Sequence, residues 1–460
     1  MIDRDEIRQK SDEFGIHAAH VQRDYVFGWL LFGIYSGSRL RDTLILKGGN
    51  CFRKAYFPNT RFSADLDFST QGAVDEAFVK AELNGICRLV QERTGVSFDT
   101  DRTRIEVQNE IDNQRRVFDV RLYFNDFYGN ADHIWLRVSI DITEFDRIYL
   151  PVQARNLIHP YSDALECAGP VRCLKLEEML ANKLKCLLQR RHVPDVFDLV
   201  FSIFVNRDLE VDRTEVLSTF FRKTIYQPSP GVARQLLLEL PLAALKTAWT
   251  RYIVLPVQTV LNFDAALEQF QVIINELFAA YPLGGRAALA YFPSRFRSPL
   301  MEAASDRRLV QLTYDGLRRV VEPYALVFKR RQDGHGEEYL YVYDRTGGRT
   351  SGPGIKSMVN RKVQDVALLD DKFEPRFPIE LGRAGEFAGR GYFAGTPGRR
   401  QWAATRIRTL RHGWRYTVQC PYCNRQFRRM RRDTSLKPHK DPYGNACYGR
   451  VGAIIGQEFI

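Results

Sequence analysis

A six-residue stretch in which polar and apolar side chains alternate, "ADLDFS" at positions 64–69, constrains the fold more than any other part of the sequence. Successive side chains of a β-strand point to opposite faces, so Leu66 and Phe68 would be buried while Asp65 and Asp67 share the other face. Their Cα atoms would lie about 6.6 Å apart, which is two strand rises. We therefore expect both carboxylates to reach one pair of divalent ions. A surface strand with two solvated aspartates is the alternative.

A Lys-Gly-Gly sequence at positions 47–49 precedes this strand and follows an apolar "LIL". Glycine leaves the backbone N–H groups uncovered, so Gly48 and Gly49 can approach a triphosphate closely, and Lys47 adds a positive charge. Magnesium prefers hard oxygen ligands and shares its coordination shell with substrate phosphates. The combination predicts an NTP-binding turn beside an Mg²⁺ site, with an ordinary turn as the alternative.

A later segment, "LRVSIDIT" at positions 136–143, repeats the alternating pattern. Val138, Ile140 and Ile142 form its apolar face, which places Asp141 on the opposite face. Asp141 is therefore the natural third carboxylate of the metal site. An exposed strand aspartate is again the alternative.

Composition limits the class of protein. With 460 residues, 45% of them hydrophobic, the chain should form about three domains with apolar cores. The charged N-terminus lacks a signal segment, no apolar run reaches the 18 residues of a membrane span, and eight cysteines are too few for a disulfide scaffold. We expect a cytoplasmic protein with no membrane association. The formal net charge of +12 indicates an anionic partner, with nucleic acid as the first candidate.

The Lys-Gly-Gly turn, the sequence R-x-S-x-D-x-D that follows it, the strand "SIDIT" and the segment "LKLEEMLANKLKCLLQRRHVPDVFDL" together resemble the AbiEii/AbiGii toxin family. These are nucleotidyltransferase-fold proteins that include the MenT-type toxins. The resemblance covers about residues 20 to 280. It implies the toxin half of a bacterial toxin–antitoxin or phage-defence module, with a cognate antitoxin, that transfers nucleotides from NTPs to an acceptor such as tRNA. It also implies NTP contacts from five residues: Lys47, Gly48, Gly49, Arg61 and Ser63.

The helical part of the motif also has a physical pattern. An apolar stripe runs along it, formed by Leu176, Leu180, Leu184, Leu187 and Leu188. Lys183 lies at the edge of this stripe, where a lysine can simply extend to water, but the resemblance assigns it to the nucleotide phosphates. Pro194 suits the first turn of the next helix, and the resemblance makes Asp198 a catalytic residue. The chain departs from the family pattern at Pro194, where arginine is usual, and at Asn182, where glutamate is usual. The charge network that the resemblance implies around Asp195 therefore does not carry over from the family pattern.

A β-rich stretch at residues 298–382 resembles the WYL domain, an SH3/Sm-like barrel of bacterial defence proteins and transcription regulators. Elements such as Tyr314, Arg319 and the closing "V-x-D-V" match, whereas Glu338 replaces the tryptophan of the name motif. The resemblance implies a site for nucleotides or nucleic-acid ends, with Tyr314, Arg319 and Arg361 as contacts. A barrel with only a packing role is the alternative.

The last part of the chain combines a metal-ligand pattern with a high positive charge. Cys420, Cys423, His439 and Cys447 have the spacing of a zinc site, with a reduced, metal-free Cys-x-x-Cys as the alternative. From position 399 onward, 14 lysines and arginines stand against 3 acidic residues. The run "RQFRRMRRD" with nearby Tyr422 and Phe427 suits phosphate contact and base stacking, and a solvated basic face is the alternative.

The sequence thus predicts an α+β protein of several units. Residues 1–165 form a nucleotidyltransferase core and 166–295 its helical half. A WYL-like β-barrel at 298–382, a linker at 383–400 and a basic zinc-ribbon-like module at 401–460 follow. The predicted enzyme moves an NMP from an NTP to the 3′ end of tRNA by two-metal catalysis. Two other hypotheses are a nucleic-acid-binding regulator that senses nucleotide and an enzyme that nucleotidylates proteins.

Overall fold

A computed structural model gives the structure of the chain. It describes residues 2–109, 116–127, 135–190, 192–206, 208–281, 290–330, 336–348, 351–377, 379–381, 414–429, 432–442 and 444–459. None of the helices in these ranges combines the length and the apolar character needed to cross a bilayer.

The described α-helices are α1 (Arg4–Phe14), α2 (Ala18–Gly37), α3 (Gly48–Cys51), α4 (Glu76–Thr94), α5 (Leu176–Gln189), α6 (Val193–Val200), α7 (Arg213–Lys223), α8 (Pro230–Leu238), α9 (Lys246–Tyr252), α10 (Phe263–Leu277) and α11 (Ser294–Asp306). The strands of the first half are β1 (Ile45–Lys47), β2 (Asp65–Ser69), β3 (Arg104–Asn109), β4 (Arg116–Asn125), β5 (Trp135–Thr143), β6 (Gln153–Asn156) and β7 (Pro170–Cys173). The strands of the second half are β8 (Arg308–Tyr314), β9 (Leu317–Arg330), β10 (Gly336–Asp344), β11 (Gly354–Val359), β12 (Val363–Lys372), β13 (Trp414–Gln419), β14 (Gln426–Arg429), β15 (His439–Lys440), β16 (Ala446–Cys447) and β17 (Ala453–Phe459).

A mixed sheet organises the first half of the chain. Its strand order is β3-β4-β5-β2-β1-β7-β6, in which the pairs β2–β5 and β1–β7 are parallel and the others antiparallel. The apolar rows predicted for β2 and β5, including Leu66, Phe68 and Ile140, are fully buried. The almost wholly buried helix α2 packs against β5, β7 and α4 on the apolar side. The opposite face of β2 and β5 carries the polar residues.

Helices α5 to α10 complete this first unit. Buried apolar side chains from Ile2 to Tyr291 form one continuous cluster, so the sheet and the helical half share a core. Local sequence signals set several helix ends: the side chain of Asp75, for example, caps α4 by accepting from the N–H of Phe78 at 2.7 Å. Gly95 ends the same helix with φ +72°, a left-handed conformation that suits glycine.

The second unit has its own apolar cores and a five-stranded sheet of order β11-β10-β9-β8-β12. The sequence predicted an SH3/Sm-like barrel, but no closed barrel is found in the described part of the chain. Closure would require β11 to pair with β12, and these are the two outer strands of the sheet. Helix α11 packs against β8, β9 and β12 and buries apolar surface there.

Glu338, at the position where the predicted WYL resemblance expects tryptophan, pairs with Arg297, and Arg297 contacts the first unit. Its carboxylate accepts from Arg297 Nη2 at 2.7 Å and from the N–H of Phe292 at 2.8 Å. Arg297 also donates to the carbonyl of Leu188, near the end of α5. Both charged side chains are almost completely buried. The departure from the motif therefore places a buried ion pair at this junction.

A small C-terminal unit contains the sheet β14-β13-β17 and the hairpin β15–β16. Among the residues that the structure describes in this unit, the buried core consists of four, Val418, Cys420, Leu436 and Cys447. The unit contacts the first one, because Tyr448 donates to Asp126 Oδ2 at 2.5 Å and its ring stacks on His17 at 5.7 Å between centroids.

Candidate active site

The Lys-Gly-Gly turn lies directly against the aspartates of β2. Gly48 has φ +72°, and a Cβ atom at this position would stand 2.0 Å from Asp67 Oδ2. A Cβ on Gly49 would stand 2.5 Å from Ser63 Oγ. Only glycine therefore permits this close approach of the turn to the predicted metal-binding strand.

The three predicted carboxylates converge on one spot. Strands β2 and β5 run parallel with Asp67 directly beside Asp141, and one oxygen from each of Asp65, Asp67 and Asp141 lies within 4.8 Å of the others. Ser63 Oγ donates to Asp65 Oδ1 at 2.9 Å, and Asn50 Nδ2 donates to the backbone carbonyl of Asp65 at 2.5 Å. The first bond orients the Asp65 carboxylate and the second holds its backbone. The set of hard oxygen donors fits a divalent cation such as Mg²⁺.

Lys47 neighbours Asp67 across the β1–β2 ladder. Its ammonium group donates to Asp146 Oδ2 at 2.8 Å, and Ser69 Oγ donates to the same oxygen at 2.6 Å. Asp146 was not predicted from the sequence, because it follows β5 in a segment without a periodic pattern. The positive charge of Lys47 is thus shared with an acidic neighbour at the edge of the site.

Lys183 and Asp198 belong to a buried charge network behind the turn. The ammonium group of Lys183 lies 2.9 Å from Asp195 Oδ1 and 2.8 Å from Asp198 Oδ2. Arg61 binds both oxygens of Asp198, through Nε at 2.7 Å and Nη2 at 2.9 Å. Although burial opposes ionisation, Arg61 and Lys183 hold the pKa of Asp198 below its usual value. A Cβ on Gly49 would stand 2.6 Å from Arg61 Nη2, so this charge network packs directly against the glycine turn.

Arg190 supplies the guanidinium that the family pattern places at position 194. It contacts Asp195 through Nε at 2.9 Å, and Asp195 is completely buried. Burial opposes the charge of Asp195, but Arg190 and Lys183 hold its pKa well below the usual value. Burial also lowers the pKa of the adjacent His192 to about 4. In this chain, Lys183 and Arg190 are thus cations that pair with Asp195.

The three residues that were predicted to contact a ligand of a WYL domain have partners within the protein. Arg319 is buried, donates to Asp344 Oδ2 at 2.6 Å, and lies 5.7 Å from the ring centre of Tyr314. Arg361 donates to Glu337 Oε1 at 3.1 Å. The structure thus brings Tyr314 and Arg319 together. The guanidinium groups of Arg319 and Arg361 each donate to a carboxylate.

The four predicted zinc ligands come together in the C-terminal unit. Their sulfur and nitrogen atoms all lie within 4.8 Å of one another, with Cys420 Sγ 3.6 Å from Cys447 Sγ and Cys423 Sγ 3.4 Å from His439 Nε2. His439 Nδ1 lies 2.9 Å from the carbonyl of Lys437. An N–H at Nδ1 would donate to this carbonyl and leave Nε2 to bind a metal.

Backbone geometry around Cys420 also suits a metal ligand. Burial raises the pKa of this thiol, but hydrogen bonds from the N–H groups of Cys423 and Tyr422, together with those from the Cys447 and Cys423 thiols, lower the pKa overall. A Cβ on Gly449 would stand 2.2 Å from Cys420 Sγ, so only glycine leaves room beside the sulfur.

Asp119 is a further acidic residue on this face that sequence reasoning missed. In the β4–β5 ladder it stands directly opposite Asp141. The alternation in β4, "RVFDVRLYFN", could have placed Asp119 on the polar face. Only the strand register brings it beside the predicted metal ligand.

A family model confirms the predicted resemblance to the AbiEii toxins. A family model described as nucleotidyl transferase AbiEii toxin, type IV toxin–antitoxin system, matches residues 29–269, just over half of the 460-residue chain. Among solved structures, MenT4, a nucleotidyltransferase toxin from Mycobacterium tuberculosis H37Rv, aligns at 15% identity with a TM-score of 0.39, covering 60% of this chain and 90% of that one. No curated protein matches the chain. The chain belongs to the AbiEii family of nucleotidyltransferase toxins.

Proposed function

We propose that this nucleotidyltransferase moves an NMP from an NTP to the 3′ end of tRNA by two-metal catalysis. The observation that carries the proposal is the convergence of Asp65, Asp67 and Asp141 within 4.8 Å, directly beside the glycine turn. As a member of a type IV toxin–antitoxin family, the chain would be opposed by a cognate antitoxin.

Asp65, Asp67 and Asp141 would hold the Mg²⁺ ions, because all their donor atoms are carboxylate oxygens. When bound, the ions would stabilise the negative charge that develops on the attacking and leaving oxygens. The backbone of Gly48 and Gly49 would approach the triphosphate. Lys183, which is 11% exposed, would contact the phosphates while it remains paired with the two aspartates of α6.

The transfer step is a displacement at the α-phosphorus. The acceptor hydroxyl oxygen forms a bond to the α-phosphorus, the bond to the bridging oxygen breaks, and pyrophosphate leaves. Asp141 would orient the acceptor hydroxyl and take its proton. Ser63 and Asn50 keep Asp65 in place during this step through the hydrogen bonds described above.

The C-terminal unit would bind the RNA acceptor. Five exposed cations lie on it: Arg425, Arg428, Arg432, Lys437 and Lys440. Tyr422 is 56% exposed and could stack on a base. Phosphate contacts from these cations would make RNA binding strongly dependent on salt.

Zinc would stabilise this unit. Three thiol groups and one imidazole are a donor set that tetrahedral zinc accepts. Because the described part of the unit buries a core of only four residues, an additional source of stability would help it to fold. The cluster thus supports a structural metal rather than a catalytic one, since all four protein ligands are present.

Labelling tests the proposed reaction. The protein is incubated with each α-labelled NTP, Mg²⁺ and total cellular RNA, beside Asp67→Asn as a control with the same side-chain shape. We expect one NTP to label tRNA at its 3′ end with the wild type only. Label on protein instead of RNA would favour the protein-nucleotidylation hypothesis, and equal labelling by Asp67→Asn would contradict the assigned metal site.

A further inference from the structure

One row of side chains crosses five strands of the first sheet. In register, it contains Lys47, Asp67, Asp141, Asp119 and Glu106. Residues aligned across neighbouring strands share a face of the sheet, and directly opposed Cβ atoms in an antiparallel pair lie about 4.5–5.5 Å apart. Asp119 is therefore the first neighbour of the proposed ligand Asp141 on the side away from Asp67.

Asp119 is buried, and only one of its two carboxylate oxygens accepts a hydrogen bond in the described part of the chain. Its side chain is 9% exposed, and Arg121 Nη2 donates to Oδ2 at 2.8 Å. Its Oδ1 atom has no hydrogen-bond partner in the described part of the chain. A buried carboxylate oxygen that has lost its water without gaining another donor destabilises the protein. A bound ligand could supply the hydrogen-bond donor that this oxygen lacks.

Arg121 does not depend on Asp119 alone for a carboxylate partner, because Glu106 also pairs with it. The same Arg121 Nη2 atom lies 3.1 Å from Glu106 Oε2, and Glu106 is more exposed, at 29%. If holding Arg121 were the whole role of this row, the more exposed glutamate would serve it with a smaller desolvation cost. The buried, unpaired oxygen beside Asp141 is what distinguishes Asp119.

We propose that Asp119 is a positioning residue of the metal centre, whose Oδ1 accepts a hydrogen bond from water on the divalent ion held by Asp141. This inference rests on the proposed metal-dependent transfer. Asp119 is not one of the three aspartates whose oxygens all lie within 4.8 Å of one another, so it acts outside the direct ligand set. Outer partners of this kind orient metal ligands, and losing one typically weakens metal binding about 10- to 100-fold.

Mn²⁺ binding without nucleotide tests the proposal by a readout other than activity. Affinities are measured by electron paramagnetic resonance and calorimetry for the wild type, Asp119→Asn and the matched control Glu106→Gln. In Asp119→Asn, Arg121 still needs an acceptor, so the amide oxygen faces the arginine and the NH₂ group faces the metal-bound water. We expect at least a roughly 10-fold weaker Mn²⁺ affinity for this variant and an unchanged affinity for Glu106→Gln.

Other results would overturn the inference. An unchanged affinity in Asp119→Asn would contradict it, as would an equal loss in Glu106→Gln, which would assign the effect to Arg121. Asp119→Ala is the second variant, and circular dichroism of the metal-free proteins identifies any variant that does not fold. Asp67→Asn distinguishes failure of the proposed metal site from failure of the Asp119 inference. If this variant binds Mn²⁺ like the wild type, the proposed metal site is wrong. Mn²⁺ binding that depends on Asp67 but not on Asp119 would reject only the present inference.

Discussion

At the scale of single residues, the site depends on close approaches that tolerate little change. Gly48 lets the backbone contact Asp67, and Ser63 and Asn50 hold Asp65 from two sides. Behind the turn, buried cations and carboxylates neutralise one another around Asp198. Substitutions in the glycine turn should therefore affect function through geometry, whereas removing one partner of the buried charge network should also destabilise the protein.

Gly48→Ala should abolish Mn²⁺ binding and transfer while the protein remains folded. The new Cβ would stand 2.0 Å from Asp67 Oδ2 and must displace that carboxylate. Gly316→Ala is the matched control, because Gly316 has a similar φ of +76° but no atom within 4 Å of its Cβ position. Both variants should lose about 1–2 kcal/mol of stability from the left-handed conformation, measured by denaturant unfolding. Equal Mn²⁺ affinities in the two variants would show that the contact with Asp67 is unimportant.

His192 should make the protein less stable in acid. Its folded-state pKa is about 4, below the ordinary value of 6.5, so the unfolded chain binds the extra proton first as pH falls. Stability is therefore present above pH 6.5 and is lost as the pH falls towards 4. Between pH 7 and pH 5, the wild type should lose up to about 2 kcal/mol more than His192→Asn. Urea unfolding at the two pH values measures this difference, and parallel losses would refute it.

At the scale of secondary-structure elements, α5 connects the two large units. It carries Lys183, while the carbonyl of Leu188 accepts from Arg297 and Gln189 Nε2 donates to the carbonyl of Leu326 at 2.8 Å. The second unit thus anchors the C-terminal end of the helix that supports the glycine turn. Changes at this junction should be transmitted to the charge network.

Glu338→Ala should destabilise the protein by about 3–5 kcal/mol, because it leaves Arg297 buried without its carboxylate. The double variant Arg297→Met/Glu338→Leu should recover most of this loss, since apolar residues of similar volume often replace buried ion pairs. Asp370→Ala removes an exposed pair with Arg308 and should cost no more than about 1 kcal/mol. Unfolding in urea measures all three, and a Glu338→Ala variant as stable as Asp370→Ala would show that the pair is not needed.

The turn after β13 and the hairpin β15–β16 should together hold one zinc ion per chain. Elemental analysis of protein purified without added metal should find it, and Cys423→Ser should lose it because one of four ligands is missing. Cys186→Ser is the control, since Cys186 is partly buried like Cys423 but lies outside the cluster. A folded, reduced wild type without zinc would reject the ligand set.

At the scale of the whole molecule, positive charge is concentrated far along the chain from the carboxylates. The C-terminal unit nevertheless contacts the first unit through Tyr448 and Asp126, and Gly444 approaches Arg137, which is in the same strand as Asp141. The fold therefore brings the basic unit to the sheet that carries Asp65, Asp67 and Asp141, as the proposed acceptor-binding role requires.

Replacing Arg425, Arg428, Arg432, Lys437 and Lys440 by glutamine should weaken RNA binding and flatten its dependence on salt. Each lost phosphate contact should reduce the slope of log K against log salt by about 0.7 for single-stranded RNA. Mn²⁺ affinity should not change, because the aspartates lie on β2 and β5. The control neutralises five exposed cations of α1 and α4, namely Arg4, Arg8, Lys80, Arg88 and Arg93. Equal salt slopes for the two variants would make the C-terminal charge a solvated surface.

The sequence by itself determined the features that depend on neighbours along the chain. Alternation fixed the strands that carry Asp65, Asp67 and Asp141, since side-chain direction follows directly from strand geometry. Combined motifs identified the family, and the spacing of Cys420 and Cys423 located the C-terminal cluster.

Only the tertiary structure decided the features that depend on residues distant in sequence. Strand register placed Asp119 opposite Asp141, and packing brought Arg61 to Asp198, which lies 137 residues further along the chain. The second sheet stayed open because its outer strands do not pair, which no local pattern in either strand reveals. Long-range pairing and the partners of buried charges are set by how elements pack together, and the local sequence does not encode that choice.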